Sequence, residues 1–211
     1  MVIFDLDGTL LDVWERYFTV FNSWWNIKGL SIQTYIKLKR ELSEDILIVR
    51  SFGIDVPLSE YHRYREYKHE KLEAPEYLEL DKEIVNWDKL KKLDFIVLTI
   101  RRRAEALYQE LRRRKLDFLI HKIFVLEPGN KLAKLNWVSR NYTHSDEIYV
   151  VGDSETDLLV GKIPGVKVVL VNTGLQDPAK LVEKYRNEIT AQIMVLESVN
   201  DFLEYIMKKI E

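Results

Sequence analysis

Cysteine is absent from this chain of 211 residues, which excludes disulfide bonds, thiolate catalysis and thiolate ligands for a metal ion. Glycine (8 residues) and proline (5 residues) are scarce, and the glycine-rich motifs of P-loop and dinucleotide-binding proteins are missing. No apolar run approaches the roughly 18 residues that a membrane-spanning helix needs, and no secretory signal is evident. We therefore expect a soluble cytoplasmic protein with no membrane partner.

The chain also lacks a large excess of positive or negative charge. The 32 Lys and Arg residues nearly balance the 34 Asp and Glu residues, for a net charge of −2. Short basic runs at residues 101–103 and 112–115 are interrupted by Glu105 and Glu110. A nucleic-acid-binding surface is usually basic on one whole side, so we expect no nucleic-acid partner.

Two acidic residues follow the first apolar segment. Val2-Ile3-Phe4 is typical of a buried strand, and Gly8 allows the chain to turn directly after Asp5 and Asp7. Two carboxylates 4 Å apart repel by about 4 kcal/mol at an effective dielectric constant near 20, so a proton or a cation must offset them. Taken alone, the segment is equally compatible with a solvated acidic turn.

The same pattern returns far downstream. A second apolar segment, Ile148–Gly152, ends at Asp153, and Asp157 follows four residues later, on the same side of a helix if one begins there. The carboxyl ends of parallel strands meet at one edge of a sheet, where ligands bind. Converging carboxylates of this kind suit Mg²⁺, which prefers hard oxygen ligands.

A threonine and a lysine lie between the two acidic segments. Residues 95–99 form a third apolar segment, and Thr99 at its end can donate to a phosphoryl oxygen. Lys131 follows the break at residues 128–130 and is predicted to lie in the first turn of a helix, where the helix dipole disfavours a lysine and so suggests a local function. Lys134 lies one turn further on. Taken singly, each could instead be structural or solvated.

In this order, the segments DLDGT, Thr99, a lysine and GDSETD resemble the motifs of the haloacid dehalogenase superfamily, and within it the phosphatases similar to phosphoglycolate phosphatase. The resemblance implies an α/β fold, a Rossmann-like parallel sheet flanked by helices. It implies that Asp5 is the nucleophile that becomes phosphorylated and that Asp7 is the general acid and base. It further implies a magnesium site formed by Asp5, Asp7, Asp153 and Asp157, and substrate contacts from Gly8, Thr9, Thr99, Ile100, Arg101 and Lys131. Lys131 is preferred to Lys134 because its position after a break and 22 residues before Asp153 fits the family better.

Residues 12–81 carry a different pattern. Aromatic and aliphatic residues recur there at helical spacing from Trp14 to Val49, and Pro75 is predicted to end a later helix. We predict about four helices in this segment, inserted into a core of residues 1–11 and 82–211. Such an insertion resembles the cap of the same family, which covers the site and so favours small phosphorylated metabolites as substrates.

The function predicted from the sequence is a Mg²⁺-dependent phosphatase that acts on a small phosphomonoester and is a monomer or homodimer. Arg101 or Arg102 is placed to contact a second anionic group of the substrate, although a solvated basic helix is the simpler explanation. Two other functions stay open, a phosphomutase acting on a sugar phosphate and a non-catalytic binding or regulatory protein with the same fold.

Overall fold

The computed structural model describes residues 1–142 and 147–210. Its strands are β1 (Val2–Phe4), β2 (Leu11–Asp12), β3 (Lys82–Glu83), β4 (Phe95–Ile100), β5 (Ile123–Leu126), β6 (Ile148–Gly152), β7 (Val166–Val171) and β8 (Gln192–Leu196). Its α-helices are α1 (Trp14–Trp25), α2 (Ile32–Leu42), α3 (Asp45–Ser51), α4 (Leu58–Lys71), α5 (Pro75–Leu78), α6 (Trp87–Leu90), α7 (Ala104–Arg113), α8 (Ala133–Asn141), α9 (Glu155–Leu158), α10 (Pro178–Tyr185) and α11 (Val199–Ile210).

Six strands form one parallel sheet in the order β5-β4-β1-β6-β7-β8. Side chains alternate across it, so Val2 and Phe4 enter one apolar cluster with α7 and α11, while Ile3 enters another with α8, α9 and α10. Because helices cover both faces, the strands are apolar on both sides, which makes them short continuous apolar runs in the sequence. The predicted α/β fold with a Rossmann-like parallel sheet is confirmed.

The segment between β2 and β3 is helical and has its own apolar cluster, centred on the buried aromatic residues Phe21, Tyr35 and Tyr64. It contains five helices in place of the predicted four or so. The additional break occurs at Ser43, whose φ of 66° ends α2 before α3 begins. Pro75 begins α5, contrary to the prediction that it ends a helix, because proline is well tolerated in a helix's first turn.

An antiparallel pair joins this insertion to the sheet. Leu11 lies opposite Glu83, and Asp12 lies opposite Lys82. The chain segments that enter and leave the insertion are therefore held side by side. The predicted boundaries at residues 11 and 82 fall on this pair, and the division into two domains stays a prediction. Among the described residues, no helix has the length and apolar character that crossing a membrane requires.

Candidate active site

Three buried carboxylates converge at the carboxyl edge of the sheet. Asp5 follows β1, and Asp153 follows the adjacent strand β6. Asp157 lies in α9, the short helix that begins two residues after Asp153. One oxygen of each carboxylate lies within 4.8 Å of those of the other two, and all three residues are buried. The structure thus brings together three of the four residues predicted to hold a metal ion.

Two glycines give Asp153 the space it occupies. Gly8 has a φ of +80°, and a Cβ atom there would lie 2.6 Å from Asp153 Oδ2. A Cβ atom on Gly174 would lie 1.8 Å from the same oxygen. The Asp153 carboxylate also accepts a hydrogen bond from the backbone N–H of Leu175, at 3.1 Å. A larger residue at position 8 or 174 would therefore displace this carboxylate.

The lysine of the site is Lys134, and the preference for Lys131 is corrected. Lys134 Nζ lies 2.9 Å from Asp5 Oδ2 and 2.6 Å from Asp157 Oδ1, with its side chain only 2% exposed. Lys131 is exposed and precedes α8, which begins at Ala133. Because the helix begins after the predicted position, its first turn carries Lys134, on the same face as the buried Val138.

The electrostatics of the three carboxylates favour a cation. Burial raises the pKa of Asp5 to about 7, with the Lys134 ammonium acting in the opposite direction. Burial and the nearby charges of Asp5 and Asp157 raise the pKa of Asp153 well above its usual range. One lysine does not balance three carboxylates, and hard oxygen donors at this spacing suit a divalent ion such as Mg²⁺. The residues present therefore fit the predicted metal.

Asp7 lies apart from these three carboxylates. Its Oδ2 accepts a hydrogen bond from Arg101 Nε at 2.9 Å, and its Oδ1 accepts from Arg101 Nη2 at 2.7 Å and from Arg16 Nη2 at 2.8 Å. Burial alone would raise the pKa of Asp7, but the two guanidinium groups hold it well below its usual range. The Asp7 carboxylate is turned towards these arginines and lies outside the group of three carboxylates, so its role as a metal ligand stays a prediction.

Arg101 is the centre of an ion-pair network. It is 4% exposed, and its Nη1 donates to Glu110 at 2.8 Å while its other nitrogens donate to Asp7. Arg16, on α1, also donates to the carbonyl of Leu72 and lies 3.1 Å from Asp81. The predicted contact of Arg101 with substrate stays a prediction, since its guanidinium group is already committed to two carboxylates.

The remaining predicted residues lie around the same edge. Thr99 is buried within β4, one residue before the strand ends, and Thr9 is fully buried with its Oγ1 lacking a hydrogen-bond partner among the described residues. Ile100 and Asp7 line a cleft of about 260 Å³. The insertion contributes Arg16, Tyr17, Lys68, His69, Leu72 and Glu73 to the walls of this cleft.

Sequence reasoning missed four charged residues of this network. Arg16 and Asp81 belong to no recognisable motif, and Glu110 counted only as an interruption of a basic run. Glu73, also missed, accepts hydrogen bonds from the backbone N–H groups of Arg102 and Arg103. Charged residues are rarely buried in proteins, so burial marks these four residues as unusual. Burial is known only from the structure, however, and the sequence alone does not reveal it.

An open parallel sheet with acidic residues and a lysine at its carboxyl edge is typical of α/β enzymes, and its three buried carboxylates could hold a metal ion. A family model described as haloacid dehalogenase-like hydrolase matches residues 2–171. The chain therefore belongs to the haloacid dehalogenase-like hydrolases, and the expectation of a hydrolase of this family is confirmed.

Solved structures share the fold over nearly the whole chain. A predicted phosphatase from Clostridium acetobutylicum is 20% identical, with a TM-score of 0.63 and coverage of 98% of this chain and 97% of the other. A predicted phosphoglycolate phosphatase from Haemophilus somnus is 16% identical, with a TM-score of 0.65 and the same coverage. A predicted beta-phosphoglucomutase from Thermotoga maritima is 21% identical, with a TM-score of 0.58 and 98% of each chain covered. Comparison with curated proteins gives no match.

Proposed function

We propose that this protein is a Mg²⁺-dependent phosphatase that hydrolyses a small phosphomonoester through a phosphorylated Asp5. The observation that carries the proposal is the contact of the Asp5 carboxylate with Lys134, next to two further buried carboxylates at the carboxyl edge of the sheet. Phosphoryl transfer needs alignment of the reacting atoms and neutralisation of the phosphoryl oxygens, and this constellation can supply both.

The reaction has two halves. First, a carboxylate oxygen of Asp5 bonds to phosphorus, the bond between phosphorus and the alcohol oxygen breaks, and the leaving oxygen takes a proton from Asp7. Then water attacks phosphorus and gives a proton to Asp7, the bond from phosphorus to Asp5 breaks, and inorganic phosphate leaves. Mg²⁺ held by Asp5, Asp153 and Asp157 would supply positive charge to the phosphoryl oxygens.

Asp7 must exchange a proton in each half. With both arginines in contact, Asp7 is a carboxylate, which is the form that accepts a proton from water. Arg101 belongs to the sheet core, whereas Arg16 belongs to α1 of the insertion. Withdrawal of Arg16 by a movement of the insertion would raise the pKa of Asp7 towards the acid form that the first half needs. The insertion would thus act on the chemistry as well as on access.

The walls of the cleft favour a small substrate. At about 260 Å³, the space beside Asp7 accommodates a metabolite rather than a folded phosphoprotein. The insertion contributes half or more of the cleft's lining, which supports its role as a cap. Cytoplasmic location, a monomeric or homodimeric state and the lack of nucleic-acid and membrane partners are part of the same proposal.

A phosphomutase acting on a sugar phosphate is the second candidate. It would use the same residues but return the phosphoryl group from Asp5 to an alcohol instead of water. The structural similarity to a predicted beta-phosphoglucomutase favours keeping this candidate. A purely binding role is disfavoured, because the nucleophile, the lysine and the acidic residues are all intact.

The proposal is tested by measuring release of p-nitrophenol from p-nitrophenyl phosphate with Mg²⁺, with a chelator and with the Asp5→Asn variant. We expect turnover that needs both Mg²⁺ and Asp5. A panel of phosphorylated metabolites follows, because a covered site can reject the artificial ester. Lack of turnover across the whole panel would contradict the phosphatase proposal.

A further inference from the structure

The cleft beside Asp7 adjoins a second depression, because both have His69 and Arg102 in their walls. The outer depression has a volume of about 490 Å³ and lies between α4 and the loop that follows β4. Helix α4 contributes His62, Arg65, Glu66, His69 and Glu70, and the loop contributes Arg102 and Arg103. Asp7, two residues from Asp5, lines the inner cleft, so a substrate that occupied this cleft would extend towards the outer depression.

Among the described residues, the arginines that line the outer depression lack the acidic partners that Arg16 and Arg101 have. Arg16 and Arg101 pair with Asp7, and Lys68 pairs with Asp45. By contrast, Arg65, Arg102 and Arg103 are exposed, and their side chains make no ion pair within the described part of the chain. Glu66 and Glu70 lie in the same walls without pairing with them.

The loop that carries two of these arginines is held in place by the insertion. Glu73 is 9% exposed, and its two carboxylate oxygens accept hydrogen bonds from the backbone N–H groups of Arg102, at 2.8 Å, and Arg103, at 2.7 Å. These bonds occupy the backbone groups and leave both guanidinium groups available. Arg65 and His69 lie one turn apart on α4 and therefore present their side chains on the same face of the helix.

Positive charge accumulates where the two depressions meet. Partial burial lowers the pKa of His69 below its ordinary value, and the nearby charges of Arg102, Lys68 and Arg65 lower it further. A neutral His69 can still donate one hydrogen bond to an anion, while the guanidinium groups supply charge and paired donors that match a carboxylate or a phosphate.

We propose that the substrate carries a second anionic group, a carboxylate or a phosphate, which Arg102 and Arg65 bind in the outer depression. This inference rests on the proposed function, since the phosphoryl group at Asp5 fixes which end of the substrate reaches the arginines. Substrates with a neutral distal end would leave the three guanidinium groups without a partner and lose the corresponding binding free energy.

Matched pairs of esters test the inference. Glycerol 3-phosphate and 3-phosphoglycerate differ in one carboxylate, and fructose 6-phosphate and fructose 1,6-bisphosphate differ in one phosphate. We expect kcat/KM to favour the anionic member of at least one pair by about tenfold or more, equivalent to about 1.4 kcal/mol. The pair that shows the preference identifies the anion.

Substitutions assign the preference to residues. Arg102→Gln and Arg65→Gln should each lower the ratio of kcat/KM within the preferred pair about tenfold, mainly through KM of the anionic member. Arg63→Gln is the matched control, because Arg63 is exposed on the same helix but lines neither depression. Equal ratios for wild type and all variants would overturn the inference.

Binding to an inactive variant separates this inference from the proposed function. Calorimetric titration of Asp5→Asn with the four esters should show tighter binding of the preferred anionic member, and loss of this difference when Arg102→Gln is added. If p-nitrophenyl phosphate is hydrolysed while neither pair shows a difference in rate or binding, the phosphatase proposal is supported and the proposal of a second anion-binding site is wrong. If the anionic members bind more tightly but no ester is hydrolysed, the anion-binding site is supported and the proposed phosphatase activity is wrong.

Discussion

At the scale of single residues, Lys134 determines the charge of the site. Its ammonium group lies between Asp5 and Asp157 in a setting where almost no solvent reaches it. Burial by itself would lower the pKa of Lys134, but the two carboxylates raise it, so the lysine stays protonated. A fixed positive charge beside the proposed nucleophile is available for an approaching phosphoryl group without reorganisation.

Replacing this lysine should therefore remove most of the activity. We expect Lys134→Met to lower kcat/KM about 100-fold or more, a loss typical of removing one preorganised electrostatic partner. Steady-state kinetics with saturating Mg²⁺ measures the effect.

Lys131→Met is the matched control, since Lys131 is exposed and precedes the helix. We expect its kcat/KM to stay close to that of wild type, because a solvated lysine contributes little to a buried site. A comparable loss in both variants would contradict the assignment of Lys134.

At the scale of elements, a buried ion cluster joins three helices of the insertion. Asp45 begins α3, and its carboxylate pairs with Lys39 of α2 at 2.7 Å and with Lys68 of α4 at 2.5 Å. Tyr64 donates a hydrogen bond to the same carboxylate at 2.6 Å. The cluster fixes the position of α4, which supplies one wall of both depressions.

This cluster predicts a pH dependence of stability. Burial alone would raise the pKa of Asp45, but Lys68 and Lys39 lower it well below its usual range. The stabilisation is therefore complete above the unfolded pKa near 3.8 and is lost as the pH falls towards the folded value. Asp45→Asn should lower the free energy of unfolding by about 3 kcal/mol at pH 7, because both lysines lose a buried partner.

Urea denaturation of wild type and Asp45→Asn between neutral and acidic pH measures this difference. The two proteins should converge in stability as the pH falls below about 4. Asp177→Asn serves as the control, because Asp177 caps the start of α10, a role that asparagine can also fill. A cost of Asp45→Asn that does not change with pH would contradict a charge-based role.

At the scale of the whole molecule, the insertion and the sheet core meet through charged contacts at the site. Arg16 reaches Asp7 from α1, Glu73 holds the loop after β4, and Arg40 of α2 donates to the carbonyl oxygens of Asn172 and Gly174. These contacts are polar, so water can replace their hydrogen bonds if the two parts separate. The arrangement therefore suits an insertion that moves relative to the core.

Metal binding should be visible as a change in global stability. Because the three buried carboxylates repel one another, we expect Mg²⁺ to raise the melting temperature. A ligand at 100 times its Kd adds about 2.7 kcal/mol to the free energy of unfolding. The shift, measured by calorimetry, should be largely lost in Asp153→Asn and retained in Asp88→Asn, which removes an exposed carboxylate on α6. An equal shift in both variants would place the metal elsewhere.

The strands were the most predictable part of the fold, because each is a short apolar run between breaks. The apolar segments at Val2–Phe4 and Ile148–Gly152 form β1 and β6, as the sequence predicts. The strand ends also allowed us to expect that Asp5 and Asp153 approach each other. The break at Ser43 was not predictable, because a positive φ at serine has no local sequence signal.

The charged network around Asp7 was beyond sequence reasoning for a different reason. Arg16 and Asp81 lie at opposite ends of the insertion in the sequence, and Arg101, which follows β4, meets Asp7, which follows β1. Such pairs depend on how helices pack, which periodicity does not specify. The lysine was misassigned because spacing from a break does not define where the first helical turn begins, and one turn decides which lysine faces the carboxylates.

Detection of the phosphoryl group on Asp5 tests the proposed mechanism most directly. The protein is mixed with Mg²⁺ and p-nitrophenyl phosphate, or the best ester found, quenched in acid within the first turnover and analysed by peptide mass spectrometry. We predict a phosphorylated peptide that contains Asp5, its absence in Asp5→Asn, and its decay in water at the rate of phosphate release. Turnover without phosphorylation of Asp5, or phosphorylation at another residue, would contradict the account.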